Sequence, residues 1–390
     1  SGPFIATELD GPSGAMLARN RWSIEFSGRV AFADLGGEQP TWSADSTEFL
    51  GRRVGTCAPA ALAGEVPLSG KTGAGLDPCT ALQRVEEIGA GETDEVVSFL
   101  GQCASVEDAR ALIARYRETD LDAILAQVAD HWESVLRTVQ VKTPDRAMNI
   151  MLNGWLLYQT LACRVWARSA FYQASGAYGF RDQLQDGMAL TFARPQETRV
   201  HLLLAAARQF VEGDVQHWWL PHSGKGVRTR ISDDRVWLAF ATATYIACTD
   251  DRSILDEIVP FLDGPALNSG EHDAFFQPMA ADESASLFEH CARGLDQALE
   301  FTGEHGLPLI GTGDWNDGMN RVGEDGMGES VWLGWLLVRT IDLFAPQAAA
   351  RDAERGERWR AHGATVREAI EREAWDGAWY RRATFDDGTW

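Results

Sequence analysis

The spacing of hydrophobic positions divides the chain into a strand-rich first part and a helix-rich second part. In the first part, short apolar runs at 21–26 and 29–35 predict strands. Two longer runs, 80–88 and 94–102, flank a glycine-containing turn and predict a β-hairpin. The intervening stretch 55–79 is rich in Gly, Ala and Pro and is predicted to be loop.

The pattern changes near residue 104 to the spacing of amphipathic helices. A Ser followed by acidic residues begins the run 105–118, as at a capped helix N-terminus, and a second amphipathic run covers 120–139. Beyond these, longer helices are predicted at 144–170, 196–212, 232–249, 284–303, 328–344 and 351–374.

Residues 149–167 are apolar on most faces, which predicts a helix buried on both sides. Alternating inner and outer helices in a closed ring would produce this, so we predict a mostly α protein with an (α/α) barrel. The predicted connections between the helices are long, and long structured loops are typically functional. They cover 172–186, 213–231, 264–283 and 304–327.

The elements together predict three regions. Residues 1–103 form a β-sandwich-like region, complete or partial. Residues 104–142 form a helical linker, and residues 143–390 form the barrel.

Charge and composition narrow the function. The 390 residues include 57 acidic and 35 basic side chains, and the net charge of −22 argues against nucleic acid or an anionic membrane as partner. Neither an apolar run of roughly 18 residues nor a signal-peptide pattern is present, so we expect a cytoplasmic protein, or the cytoplasmic part of an inner-membrane protein, without direct membrane insertion. The six cysteines lack metal-binding spacing and are expected to be reduced thiols.

The segment GTGDWNDGMNRVG (311–323) carries the strongest chemical signal. Its glycines favour a loop, in which Asp314, Trp315, Asn316 and Asp317 follow one another. A flat sugar face stacks on Trp, and a carboxylic acid can protonate a glycosidic oxygen, so this loop predicts sugar chemistry. A calcium loop is disfavoured because the EF-hand spacing is absent, while a purely structural turn stays open.

Residues 175–190 hold a second group of polar side chains. Arg181, Asp182 and Asp186 lie close together, and a helix beginning near Asp182 would place the two acids on one face. Two neighbouring carboxylates repel unless they bind something, such as sugar hydroxyls or an Arg. The alternative is a helix N-cap with a surface ion pair.

Residues 212–234 hold a third group, which includes His217, Trp218, Arg228 and Arg230. We predict that this loop presents Arg and His to an anion, phosphate in particular, and Trp to a sugar. The alternative is a solvated charged loop. Asp233 and Asp234 are assigned to capping of the following helix. No metal site is predicted, because the two histidines here lack further ligands at suitable spacing.

Four segments in this order resemble the cellobiose phosphorylase family of inverting glycoside phosphorylases, and most of all the phosphorylase-like C-terminal region of cyclic β-1,2-glucan synthases. They are YGFRDQLQD (178–186), EGDVQHWW (212–219), GVRTRISDD (226–234) and GTGDWNDGMNRVG (311–323). The resemblance implies a β-sandwich, a helical linker and an (α/α)6 barrel. It also implies that the last barrel helices and part of the phosphate site lie beyond Trp390, and that further domains of a larger synthase are partners.

The same resemblance implies a mechanism. Asp317 maps to the general acid, Trp315 to a sugar contact, and Arg181 with an acid of the 181–186 segment to the subsite of the glycosyl unit that is cleaved. Inorganic phosphate is the co-substrate and no cofactor is needed. We expect phosphorolysis of β-linked, specifically β-1,2-linked, glucan to α-glucose 1-phosphate, with Asp317 buried close to Asp314.

Two alternatives stay open. An inverting β-glucan hydrolase would need a second carboxylate as base, and Asp182 and Asp186 are candidates. A fragment that binds glucan without catalysis is the other.

Overall fold

The structure is a computed structural model, and it describes residues 2–22, 24, 26–51, 55–63, 66–167 and 176–390. The chain forms two compact units, Ser1–Trp132 and Glu133–Trp390. The division into sandwich-like region, linker and barrel stays a prediction.

The first unit is built on an antiparallel sheet with the strand order β1-β2-β3-β6 and on a separate pair, β4 and β5. A small core lies between the sheet and helix α2, and it includes Leu17, Val30, Phe32 and Ile113. The elements of this unit are β1 (Ile5–Leu9), β2 (Met16–Asn20), β3 (Val30–Asp34), β4 (Thr41–Asp45), α1 (Ser46–Leu50), β5 (Pro78–Gln83), β6 (Phe99–Cys103) and α2 (Val106–Arg117). Helix α3 (Leu121–Leu136) leads from the first unit into the second.

Two strand predictions for the first unit are wrong. The runs at 80–88 and 94–102 do not form a hairpin, because β5 pairs with β4 while β6 pairs with β3. The described residues of 21–26 form a bend and turns rather than a strand, and residues 23 and 25 lie outside the described residues. Alternation of apolar and polar residues indicates that a strand is present, but it does not indicate its partner.

Helix prediction in the second unit was largely confirmed. The helices are α4 (Arg146–Ile150), α5 (Leu156–Gln159), α6 (Phe180–Leu190), α7 (Pro195–Ala206), α8 (Asp234–Thr249), α9 (Leu287–Glu300), α10 (Val331–Ala348) and α11 (Ala353–Ala369). The strands are β7 (Tyr178–Gly179), β8 (Gln216–Trp219), β9 (Gly226–Thr229), β10 (Ile258–Asp263), β11 (Asp273–Phe276) and β12 (Met279–Ser286). Helix α6 occupies the last part, 180–186, of the predicted connection 172–186, whose first residues, 172–175, lie outside the described residues.

The core of the second unit surrounds α8, which is buried on most of its faces and packs against α6, α7, α9 and α10. Strands β7, β8, β9 and β11 form an antiparallel sheet beside these helices. No described helix of the chain is both long and apolar enough to cross a bilayer.

The long helix predicted at 144–170 is interrupted. Asn153 leaves the helical conformation (φ −81°, ψ 15°), and its side chain bonds the backbone N–H and C=O of Val141 at 2.6 and 2.9 Å. The apolar side chains here are not buried on both sides: Trp155 and Leu156 are 48% and 44% exposed. The last residues of the prediction, 168–170, lie outside the described residues.

A partly buried ion pair connects α2 to the loop after β1. Arg110 donates from Nε and Nη2 to Asp10, whose carboxylate is buried, with a shortest distance of 2.6 Å. Hydrogen bonds from Arg110 are the largest cause that lowers the pKa of Asp10 to about 2, against the opposing effect of burial.

We predict that Asp10→Asn lowers the stability of the first unit in a pH-dependent way. The folded pKa lies below the unfolded value of 3.8, so the contribution is fully present above about pH 4 and disappears as pH falls through about 2. Native-state hydrogen exchange should show a loss of about 1–2 kcal/mol at pH 6 that vanishes near pH 2. Asp122→Asn, at an exposed position of α3, is the control. A loss that does not change with pH would contradict this assignment.

Candidate active site

The glycine-rich loop lies along residues 230–233. Ile231 bridges to Gly311, and the backbone N–H of Ser232 donates to the carbonyl of Gly313 at 3.0 Å. Gly311 has φ 61°, and a Cβ there would lie 2.2 Å from the carbonyl oxygen of Arg230, so no other residue fits. This approach brings the start of α8 next to the segment 314–317.

Strand pairing brings a second segment to the same place. Tyr178 and Gly179 of β7 pair with Trp219 and Trp218 of β8. Since α6 begins directly after β7, its first turn lies beside β8. Arg181 and His217 thereby approach each other, although they are far apart in sequence.

Arg181 is the centre of the site. Its buried guanidinium donates from Nη1 to Asp233 Oδ1 at 3.0 Å and to the carbonyl oxygen of Asp314 at 2.8 Å. Its Nη2 donates to Asp317 Oδ1. Burial opposes the charge, but Asp233 and Asp234 outweigh burial and raise the pKa of Arg181. A permanent cation therefore connects α8 with the glycine-rich loop.

Asp233 is fully buried and does not cap α8. Its side chain makes no capping bond; its oxygens accept from Arg181 and, at 2.7 Å, from Trp237 Nε1. Burial, followed by the charge of Asp234, raises the pKa of Asp233 to about 7, against the opposing effect of Arg181. The capping assignment of Asp233 is therefore wrong. An Asp directly before a helix is expected both when it caps the helix and when it pairs with a distant cation, so the sequence does not distinguish the two roles.

His217 and Asp234 form a second charged pair. His217 Nδ1 lies 2.7 Å from Asp234 Oδ2, and both side chains are largely buried. Burial lowers the pKa of His217, but Asp234 outweighs burial, Asp317 adds to its effect, and the pKa is raised. Protonation of His217 thus depends on the charges around it: Asp234 and Asp317 favour the imidazolium, and Arg181 disfavours it.

Asp317 and Trp315 face solvent. Trp315 is 52% exposed, and its ring lies 6.4 Å from that of Trp332. The Asp317 side chain is 59% exposed, so the expectation that it is buried is wrong. Asn316 accepts from the backbone N–H of Gly318 at 3.0 Å and begins a short 3-10 turn. An aromatic face and a carboxylate are therefore both accessible to a sugar.

The Asp314 carboxylate points away from this surface. It is fully buried and accepts from Ser330 Oγ and from Arg382 Nη2, each at 2.6 Å. Only its backbone carbonyl faces Arg181. This orientation does not support the predicted contact of the Asp314 side chain with substrate.

The remaining predicted sugar contacts are distributed around the site. Asp182 and Asp186 lie on α6, as a shared face requires, but Asp186 accepts from Arg164 Nε at 2.9 Å on both oxygens. Asp182 is half-buried with its carboxylate against Gly179. Trp218 is half-buried, with its ring 5.5 Å from that of Phe275.

The two arginines predicted for phosphate have structural partners. Arg228 is buried over the ring of Phe210, and it donates to Asp214 at 2.6 Å and to Glu212 at 3.0 Å. Arg230 donates to the carbonyls of Glu271 and Asn268 at 2.7 and 2.8 Å. The structure therefore does not support a phosphate contact for either side chain. The acids that neutralise Arg228 precede it in the same segment, EGD at 212–214.

Comparison with known proteins assigns the chain to a family. Residues 131–390 match the family described as "Glycosyl hydrolase 94 superfamily, catalytic domain", and residues 1–119 match "Glycosyl hydrolase 94, supersandwich domain". The chain belongs to the glycosyl hydrolase 94 superfamily. The resemblance that the four segments indicated is thereby confirmed, as is the order of a sandwich domain before a catalytic domain.

Several relatives within the superfamily are named enzymes. The chain is 50% identical, over 99% of its length, to the cyclic beta-(1,2)-glucan synthase NdvB of Rhizobium meliloti (strain 1021). It is 28% identical over 80% of its length to an N,N'-diacetylchitobiose phosphorylase of Vibrio furnissii, and 30% identical over 72% to a solabiose phosphorylase of Paenibacillus borealis. The matches span only 14% of the synthase and 40% and 33% of the two phosphorylases.

The sequence analysis did not identify three residues as members of this candidate site. Asp233 and Asp234 follow an arginine-rich strand, and an acidic pair after such a strand is a signal that could have suggested an ion-pair network. Arg382 offered no local signal, because it lies 68 residues after its partner Asp314. Among the described residues, no group of three or more His, Cys, Asp or Glu is arranged to hold a metal.

We predict that Asp234→Asn lowers the pKa of the His217 imidazole. The substitution removes the charge that holds the proton, and burial and Arg181 then both disfavour the imidazolium. An NMR titration of the imidazole protons should show the wild-type pKa above 6.5 and the variant value lower than that of the wild type. Asp250→Asn, at an exposed position, is the control. Equal values in wild type and Asp234→Asn would contradict the pairing.

Proposed function

We propose that the second unit carries out inverting phosphorolysis of β-linked glucan, with the β-1,2 linkage as the preferred one and Asp317 as the general acid. The observation that carries the proposal is the exposed Asp317 carboxylate beside Trp315, with one oxygen held by the buried Arg181. The family assignment and the relatives, a cyclic β-(1,2)-glucan synthase and several phosphorylases, support the reaction and the linkage.

In this mechanism, Asp317 gives its proton to the glycosidic oxygen as the bond from that oxygen to the anomeric carbon breaks. An oxygen of inorganic phosphate attacks the anomeric carbon from the opposite face, so the product is an α-sugar 1-phosphate with inverted configuration. Phosphate is already anionic and needs no base, which means that one carboxyl group suffices.

The contact between Arg181 and Asp317 has to open during this reaction. Arg181 favours the ionised form of the Asp317 carboxylate, whereas the proton donor has to be the protonated acid. We expect sugar hydroxyls or phosphate oxygens to take over Nη2 of Arg181, while Nη1 stays on Asp233. Arg181 and His217, rather than Arg228 and Arg230, then supply positive charge beside the phosphate.

The proposal also includes an (α/α)6 barrel for the second unit, attachment to further domains of a larger synthase, and a cytoplasmic location. The burial of α8 between α6, α7, α9 and α10 is what an inner barrel helix requires. Hydrolysis is less well supported than phosphorolysis, because Asp186, one of the two candidate bases, is held on both oxygens by Arg164.

We predict that Asp317→Asn nearly abolishes release of glucose 1-phosphate from β-1,2-glucan oligosaccharides and phosphate. Loss of a general acid costs about 10²- to 10⁴-fold in rate. The release is measured by enzymatic detection of the product and by NMR assignment of its α configuration. Glu324→Gln, an exposed acid of the neighbouring turn, is the matched control.

The outcomes separate the alternatives. Undiminished release of glucose 1-phosphate by Asp317→Asn would show that Asp317 is not the general acid. Free glucose formed without phosphate would identify a hydrolase. Saturable glucan binding without any turnover would identify a binding module.

A further inference from the structure

The Asp314 carboxylate is the most completely enclosed acid of the glycine-rich loop, and a distant arginine neutralises it. Arg382 Nη2 donates to both Asp314 oxygens at 2.6 Å, and Nη1 lies 3.1 Å from Ser330 Oγ. Ser330, the N-cap of α10, donates its hydroxyl to Asp314 Oδ2 at 2.6 Å. A buried carboxylate is tolerated only with such partners, so Arg382 is required for this arrangement.

The segment that carries Arg382 is itself fixed. The backbone N–H of Val331 donates to the carbonyl of Arg382 at 3.2 Å, and Glu329 and Thr384 exchange backbone hydrogen bonds at 3.3 and 3.0 Å. The Asp386 carboxylate accepts from backbone N–H groups that end the glycine-rich loop, at 2.7–3.0 Å; they belong to Asp325, Met327 and Gly328. Arg382 is therefore presented from a rigid strand-like segment.

A continuous set of contacts leads from Arg382 to the proposed acid. Arg382 holds the side chain of Asp314, whose Oδ1 accepts from the backbone N–H of Asn316 at 3.1 Å. The carbonyl of Asp314 accepts from Arg181 Nη1, and Nη2 of the same guanidinium donates to Asp317. The loop backbone is thus held from both sides at Asp314, three residues before Asp317.

We propose that Arg382 is a positioning residue for Asp317, an inference that rests on the proposed function of Asp317. In the described structure its guanidinium bonds Asp314 and Ser330 and not the side chains assigned to the reaction. Without Arg382 the buried Asp314 carboxylate keeps its bonds from Ser330 and Asn316 but has no counter-charge, and the loop has to move to return it to water. Asp317 then loses its orientation toward the glycosidic oxygen, while Trp315 continues to offer a sugar surface.

The test compares Arg382→Ala, Arg382→Lys and the neighbouring control Arg381→Ala, all in the full chain. Arg381 lies over the ring of Trp390, 5.1 Å away, and not on Asp314. We expect kcat for glucose 1-phosphate release to fall about 10- to 100-fold in Arg382→Ala with KM little changed, since a small misplacement of a catalytic group costs this much. Arg382→Lys should recover part of the loss, and Arg381→Ala should resemble the wild type.

Two further measurements distinguish a positioning role of Arg382 from a general loss of stability and from a failure of the proposed function. In an Asp314→Asn background, which has no buried charge, Arg382→Ala should add little to the loss of kcat. Amide hydrogen exchange of residues 315–318 should be faster in Arg382→Ala than in Arg381→Ala at equal melting temperature.

Unchanged kcat and exchange in Arg382→Ala would overturn the proposal, and so would an equal loss in both backgrounds. If the wild type releases no glucose 1-phosphate, the proposed function fails. Faster exchange confined to Arg382→Ala would then still support the positioning of the loop.

Discussion

One buried guanidinium joins segments that are far apart in the chain. Arg181 on α6 binds Asp233 at the start of α8 and both Asp314 and Asp317 in the glycine-rich loop. Removing one partner from a buried ion pair such as Arg181–Asp233 costs about 3–5 kcal/mol, because the other charge stays enclosed. The loop therefore keeps its conformation only while helix, strand and loop are all in place, and this couples the proposed site to the fold of the second unit.

The charges of the site follow one rule within a strongly acidic chain. Each buried acid has its own basic partner: Asp233 has Arg181, Asp234 has His217, and Asp314 has Arg382. Asp317 shares Arg181 and is the exposed member of the group. An exposed acid that shares its protein partner can replace that hydrogen bond with one to substrate. Proton donation to a sugar requires such a contact with substrate.

Local signals in the sequence predicted much of this arrangement. Ser105 caps the helix that its pattern indicated, and the glycines of 311–323 predicted the loop with its exposed Trp and acid. Long-range pairing could not be read in the same way. Asp233 has the sequence position of a helix cap, because capping and pairing with a distant arginine favour the same residue type. The sequences of the strands at 78–83 and 99–103 do not indicate which strands they pair with. The hydrogen bond from Arg228 to Asp214 likewise forms only because residues 212–229 fold back on themselves.

A crystal structure with a bound β-1,2-glucan oligosaccharide would test the central claim most directly. The account predicts one glucosyl unit on the face of Trp315 and an Asp317 oxygen within about 3 Å of a glycosidic oxygen. It also predicts that Arg181 has released Asp317 while it still holds Asp233. A sugar bound elsewhere, or an Asp317 carboxylate that stays on Arg181 with no glycosidic oxygen near it, would contradict the account.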